Sequence, residues 1–569
     1  MSASVTPVTG PFGLRAEVLG ALPIVDHFLK RLGVDARLES FVPGTDARVK
    51  LQPAKALGVL VRNLALGHQP VYAALGEWAS PLDSTLLGLV GDEARLLNDD
   101  RVGRALGLLF DADRASLLNR LVLDAVSAFS IDCSQLHNDS TSVTLSGAYR
   151  DADGSPRGTK RTVALARGHS KDFRPDLKQL VFILSVAADG AVPIACRIVD
   201  GNTEDSTTHI ETWDLLVALF GRSDFLYVAD SKLSTRDNMA HIVKNHGRFV
   251  SVLPASRKED GQFRRYLVDH EATWSEALRR RRRLDQPDDV YEVTEAPWPS
   301  VEGYRVIWVR SSAKVERDAE SRRARIAAGI DAIDALNQRL ASPKTRMKSA
   351  VAAHTAAQEA IESAGATRWV AFSVEEVTTV RHRQETRGRP GANTRYRRIE
   401  TTKHRIHFSV RDDVVADDAC SDGCWPLITC DRDLSATELL VAYKHQPHLE
   451  RRNHMLKGPQ AVAPMFLHDA ARIEGLMTCH FIAMLVQAIV EREIRRAMTA
   501  RGLTELALYP EGRGCPSPSA PRIFAIFNGL ARQHLIGVDG AVVQVFAPEL
   551  TELQQLVLNL LGVSASDYQ

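Results

Sequence analysis

Apolar positions recur at helical spacing through the first 128 residues. Leu19, Leu22, Val25, Phe28 and Leu29 form one set, and Leu57, Leu60, Val61 and Leu64 another. Tyr72, Leu75 and Trp78 continue the pattern, and Asn98–Asp99 reads as a cap before Val102–Phe110. At Phe129 the period changes. Residues 129–147 are rich in Ser, Thr, Val and Ile and end in Gly147, as a strand running into a turn does. A second strand is expected over Gln179–Ala187, then a turn at Ala188-Asp189-Gly190 into a third over Val192–Val199. Ser206 or Thr207 reads as the cap of a helix reaching Phe220, followed by a short buried strand, Phe225–Ala229, that ends at Asp230. Ser234 reads as the cap of a helix that stops at Gly247, before a strand over Arg248–Leu253. Three strands, helix, strand, helix, strand implies an antiparallel meander beside parallel strands, an α/β class with a mixed sheet flanked by helices.

Residues 255–420 interrupt this order. Arg279–Arg283 reads as a solvated helix end, residues 314–365 as alanine-rich helices folding back on each other, and residues 369–410 as strands around a basic turn, RGRPGANTRYRR. Arg387, Arg389, Arg395, Arg397 and Arg398 there suit phosphate contact. A strand returns at Trp425–Thr429. Ser435 and Glu438 form a capping-box pattern, and Pro447 predicts a kink or restart in the helix that follows. Met477–Arg496 reads as a buried amphipathic helix, and residues 503–569 as a small tail region.

The chain has 569 residues, 44% hydrophobic and 25% charged, which suits several globular units. Its 71 basic and 70 acidic residues leave a net charge of +1, so any affinity for nucleic acid must come from local patches. The seven cysteines show no zinc spacing and read as reduced thiols. The N-terminus lacks a signal-peptide layout, and the apolar run Met477–Val490 is too short to cross a bilayer, so no membrane partner is expected and the chain reads as intracellular.

The densest chemistry lies in YKHQPHLERRNHMLK. Tyr443, Glu450 and Lys457 are seven apart, and Gln446 is one turn before Glu450, so a helix would carry all four on one face. Asp139 lies in the first strand and Asp230 at the end of a later buried strand, where open α/β sheets place ligand groups. Three carboxylates converging from separate elements suit two divalent ions, with magnesium favoured by all-oxygen ligands. Asp132 in SIDCSQ is the rival for the first position.

These residues resemble the DDE transposases of the IS4 superfamily, most closely the IS1634 group. The family pattern of Tyr, two residues, Arg, three residues, Glu, six residues, Lys is met by Tyr443, Gln446, Glu450 and Lys457, with glutamine where arginine is usual. LHNDSTSV around Asp139, GHSKDFRPDLKQLVF, IVDGNTEDS and YVADSKLS around Asp230 follow in the family's order, and the likeness spans roughly residues 15–500. Asp139 is preferred to Asp132 because Ser-Thr-Ser follows it. The resemblance implies an RNase H-like core in two parts, 129–256 and 421–500, split by an α+β insertion at 257–420. An N-terminal helical domain at 1–128 would bind DNA ends, and 501–569 would form a C-terminal region. It further implies Mg²⁺ or Mn²⁺, two ions on Asp139, Asp230 and Glu450. Tyr443, Gln446 and Lys457 would lie near phosphate, with Arg389 and Arg397 as further DNA contacts. Trp298 is the candidate to hold a flipped base, with Trp308 and Trp369 as equals. Transposon terminal inverted repeats and target DNA would be the substrates, bound by a homodimer in a bacterial, nucleoid-associated setting. A nuclease without strand transfer and a DNA-binding derivative without catalysis are the competing readings.

Overall fold

The computed structural model describes residues 12–44, 49–67, 74–282, 286–458, 460, 462, 465 and 467–569. Tyr72 and Arg283 lie outside them. The chain divides into two compact units, Met1–Ser251 with Ala442–Gln569, and Val252–Val441.

The first unit is α/β, built on a mixed sheet flanked by helices. Its strands run in the spatial order Pro193–Val199, Lys178–Ala187, Gln135–Leu145, Leu226–Ala229, Arg248–Val252. The first three are antiparallel, joined on one side by the tight turn at residues 188–192. The last two run parallel to Gln135–Leu145, each reached through a helix, His209–Phe220 and Arg236–Lys244. Parallel neighbours need such crossovers, whereas a hairpin suffices for antiparallel ones. The caps fall one residue later than the sequence suggests: Thr208 begins the first of these helices, after a 3₁₀ turn over Asp205–Thr207, and Thr235 caps the second.

The helix Ala470–Ala500 is the spine of this unit. At 31 residues and 1.5 Å each it is about 46 Å long. It packs on Pro53–Ala65, Asp99–Asp111 and the strand Pro193–Val199. The expected amphipathic helix is therefore longer, and buried on every side through most of its length. It is long and apolar enough to cross a membrane by composition, with a mean hydropathy of 1.7 in its most apolar stretch, but that stretch is wholly covered by protein.

The helices before residue 129 belong to the same unit as the sheet. The helical reading of residues 1–128 needs one correction, because Phe12–Val18 is a strand paired with Ala531–Gly537. The C-terminal residues are likewise structured, with strands over Ala531–Gly537 and Val542–Phe546 and a helix over Glu552–Leu561.

The second unit holds an antiparallel set, Cys424–Thr429, Arg305–Ser311, Asp289–Glu295 and Ser275–Arg280. Arg279 and Arg280 thus end a strand and not a helix. The helices Ser312–Ala341 and Ala350–Ser363 pack together, sharing a core of Ile333, Leu336, Leu340, Ala353, Ala357 and Ile361. Beside them the strands Val370–Gln384 and Tyr396–Val410 form a two-stranded ribbon.

Candidate active site

Parallel register brings the first two acids together. Asn138 pairs with Ala229, so the next residues along, Asp139 and Asp230, stand side by side on neighbouring strands. Asp132 lies before the strand and caps a turn, its carboxylate accepting from the Ser134 backbone N–H at 2.8 Å and the Ser134 hydroxyl at 3.0 Å. It is a turn residue for a local reason, since short acidic side chains close such turns readily.

The helix bearing Glu450 is separate from the one bearing Tyr443. Ser435 and Glu438 close a capping box at the start of Ala436–Tyr443. That helix ends at Tyr443, and a new one runs Gln446–Lys457. The break falls ahead of Pro447, which sits in the first turn of the second helix, where a missing N–H costs nothing. The restart falls where the proline predicts it, with Glu450 in the second piece, and it leaves Tyr443 on the first helix, apart from the face shared by Gln446, Glu450 and Lys457.

The second helix is fastened to the Asp139 strand by Gln446 and Asn453, and to a neighbouring loop by Lys457. Gln446 Nε2 donates to the Asn138 carbonyl at 3.1 Å, and its Oε1 meets His137 Nδ1 at 2.9 Å. Asn453 Nδ2 donates to Asp139 at 3.0 Å. Lys457 Nζ donates to Asp172 at 2.6 Å. Spacings of four, three and four put Gln446, Glu450, Asn453 and Lys457 on one helical face. Glu450 lies between two anchors to residues 138 and 139. It is exposed, and among the described residues no hydrogen bond or ion pair engages it. Gln446 is buried, with both polar atoms bonded to the strand.

Two residues that the sequence reading did not assign complete the cluster. Lys171 Nζ is 3.6 Å from Asp139 and 3.3 Å from Asp205. The Ser140 hydroxyl donates to Asp205 at 2.6 Å. Asp139, Asp205 and Asp230 line one small cavity, which adjoins a cleft of about 280 Å³ bordered by Ser140, His169, Lys171 and Lys232. The loops that bring Lys171 and Asp205 here cross at two glycines. A Cβ on Gly168 would lie 2.2 Å from the Gly201 carbonyl, and one on Gly201 would lie 1.9 Å from that of Gln179. The signal was present in the sequence, since both residues belong to the GHSKDF and GNTEDS stretches.

The electrostatics follow from this crowding. Burial pushes the Asp139 carboxyl up to about 6, aided by Asp230 and Asp205 and opposed by Lys171. Asp230 is raised by burial and by Asp205. Burial opposes the charge on Lys171, but Asp139, Asp205 and Asp230 outweigh it and raise its pKa. The Tyr443 phenol is raised by burial, then by Asp230, Glu450 and Asp139, so it feels all three predicted acids.

No family model and no curated protein matches the chain. The site thus rests on its own chemistry. Every acidic donor is a carboxylate oxygen, the class that suits magnesium or manganese. The Asn453 Oδ1 beside Asp139 is buried without a hydrogen-bond partner. Among the described residues no group of three or more His, Cys, Asp or Glu is placed so as to hold a metal ion. Magnesium usually takes one or two carboxylates together with water and substrate phosphate, so an open oxygen-lined site is compatible with it.

The remaining predicted residues lie in the second unit. Trp298 is half-buried, edge-on to Tyr266 at 5.6 Å. Trp308 is core, stacked on Phe263 at 4.1 Å, and Trp369 donates its indole N–H to Asp418. Arg389 and Arg397 are exposed at the tip of the ribbon and on its outer strand.

Proposed function

We propose that this chain is a metal-dependent DNA phosphoryl transferase of the DDE transposase type, with an RNase H-like core, acting on the ends of an insertion sequence as a homodimer. The observation that carries the reading is the placement of Asp139 beside Asp230, which follows the end of the adjacent parallel strand, with the helix that bears Glu450 fastened to the Asp139 strand through Gln446 and Asn453. Asp139, Asp230 and Glu450 would hold two Mg²⁺ or Mn²⁺ ions, and such a pair stabilises the attacking and leaving oxygens of an in-line displacement at phosphorus. Tyr443 keeps its phenolic proton at neutral pH, which makes it a hydrogen-bond donor to a phosphate oxygen. Lys171 screens the acids from one another before DNA arrives. Gln446 positions the helix in place of contacting phosphate, because its amide is engaged by the strand.

The test is incubation of the protein with its element-end DNA and Mg²⁺, the products resolved on a denaturing gel. Cleaved ends and joined strand-transfer products are expected. Asp139→Asn, Asp230→Asn and Glu450→Gln should each lower cleavage about a thousandfold or more, on the scale of several kcal/mol of transition-state stabilisation, while DNA binding persists. Cleavage that survives all three substitutions would sink the reading. Cut ends without joined product would reduce it to a nuclease.

A further inference from the structure

The second unit carries a surface that the proposed chemistry does not use. The strands Val370–Gln384 and Tyr396–Val410 pair in register throughout, 15 residues each. Only the root is buried. Val370, Phe372, Val374 and Ile406 pack into the helical core, and all belong to one face of the ribbon. From Val377 to Gln384, paired with Tyr396 to Lys403, eight residue pairs at about 3.4 Å each extend roughly 27 Å.

The extension is strongly one-signed. Between residues 381 and 398 there are seven arginines and one glutamate, Glu385. Arg398 is paired with Glu400. The other six, Arg381, Arg383, Arg387, Arg389, Arg395 and Arg397, are exposed, and no side-chain hydrogen bond or ion pair engages them. The register sorts the strand residues by face. Arg383 lies opposite Arg397, and Arg381 opposite Ile399, on the face that does not pack at the root. Like charges placed directly across a ribbon destabilise it, so this pairing favours an anionic partner. Arg398 and His382 lie on the other face.

We propose that this ribbon is a DNA-binding arm that enters the major groove of duplex DNA and grips the phosphates with Arg381, Arg383 and Arg397. A major groove about 12 Å wide admits a two-stranded ribbon, and arginine forks suit phosphate oxygens. The choice of DNA over other polyanions rests on the proposed function, whereas the arm itself rests on its charge and register. The deep, narrow major groove of an RNA duplex would not admit it.

The test uses the full-length protein, a fluorescent random-sequence DNA duplex, EDTA to suppress cleavage, and anisotropy over a range of KCl concentrations. The variant is Arg381→Gln/Arg383→Gln/Arg397→Gln, with Arg398→Gln as the control for the other face. Each phosphate contact contributes about 0.9 to the slope of log K against log salt, so the triple variant should lose roughly 3. Arg398→Gln should leave the slope within about half a unit of wild type. A change below about 1 in the triple variant overturns the arm, as does an equal loss per arginine in the control. Binding of an RNA duplex as tight as DNA, with the same loss of slope, overturns it too. The failure of the arm and that of the proposed chemistry are separable. Arm-dependent binding without cleavage in Mg²⁺ leaves the arm standing and removes the transposase reading. Cleavage with an arm-independent slope does the reverse.

Discussion

Replacing Arg452 by methionine should unfasten the helix that carries Glu450. The Arg452 side chain is 2% exposed and that of Glu491, its partner on the core helix, 1%. The guanidinium reaches Glu491 at 2.9 Å and also donates to the carbonyls of Ala191 at 2.9 Å and Gly190 at 3.0 Å. One side chain thus ties the helix Gln446–Lys457 to the core helix and to the turn at residues 188–192. Methionine fills much of the volume but leaves a buried carboxylate without its nearest cation. Breaking one partner of a buried ion pair costs about 3–5 kcal/mol. Two carbonyls lose donors as well, at about 1–3 kcal/mol each where water cannot enter. Against this, Glu491 keeps the Ala520 N–H at 2.9 Å and Arg495 at 3.4 Å. We expect a net loss of about 4 kcal/mol, a large fraction of the 5–15 kcal/mol typical of a folded protein.

Urea denaturation followed by tryptophan fluorescence measures it. The double variant Arg452→Met/Glu491→Leu removes both charges and should recover about 2 kcal/mol of that loss, because the buried carboxylate goes with its cation while the Ala191 and Gly190 carbonyls stay without donors. Arg452→Lys should fall between, because one ammonium cannot serve Glu491 and both carbonyls together. A loss below about 1 kcal/mol in the single variant, or a double variant no more stable than the single, would refute the reasoning.

Lys171→Met removes the cation between Asp139 and Asp205. The variant should melt earlier than wild type but gain more from added magnesium chloride; equal magnesium shifts in both proteins would count against a cation role for this position. Burial lowers the pKa of His137 and His209 to about 4 and of His480 to about 3, so each folds neutral. Below about pH 6.5 the unfolded chain binds protons that the folded chain does not, so stability falls with acidification through each window by about 1.4 kcal/mol per pH unit per histidine, Asp139 acting in the opposite sense. His480→Asn should therefore lose about 2 kcal/mol less than wild type between about pH 7 and pH 5 in urea titrations, and parallel curves would refute it.

What the sequence makes legible here is whatever depends on neighbours a few residues away. The capping box at Ser435–Glu438, the turn after Ala187, the restart near Pro447 and the helical hairpin of residues 312–363 are all local in origin. The strand Phe12–Val18 was missed because its partner, Ala531–Gly537, lies more than 500 residues further along, and a short exposed strand carries no period of its own. The helix Ala470–Ala500 misled for a related reason. An amphipathic pattern assumes a solvent side, and this helix has protein against nearly every side.

The candidate site divides along the same line. Asp139 could be named within the first strand and Asp230 at the end of a later one, yet only register makes them neighbours. Asp205 and Lys171 enter through loops whose crossing depends on two glycines without room for a Cβ, a constraint that no periodicity reports. Gln446 marks the opposite error. Its place in the spacing suggests a phosphate contact, but a side chain with both a donor and an acceptor can satisfy His137 and the Asn138 carbonyl at once, which a guanidinium, having no acceptor, could not do. The residue that departs from the pattern of the transposases the chain resembles thus helps to fasten the helix to the strand. Placing arginine there would disturb the position of Glu450 before adding any charge to the proposed DNA surface.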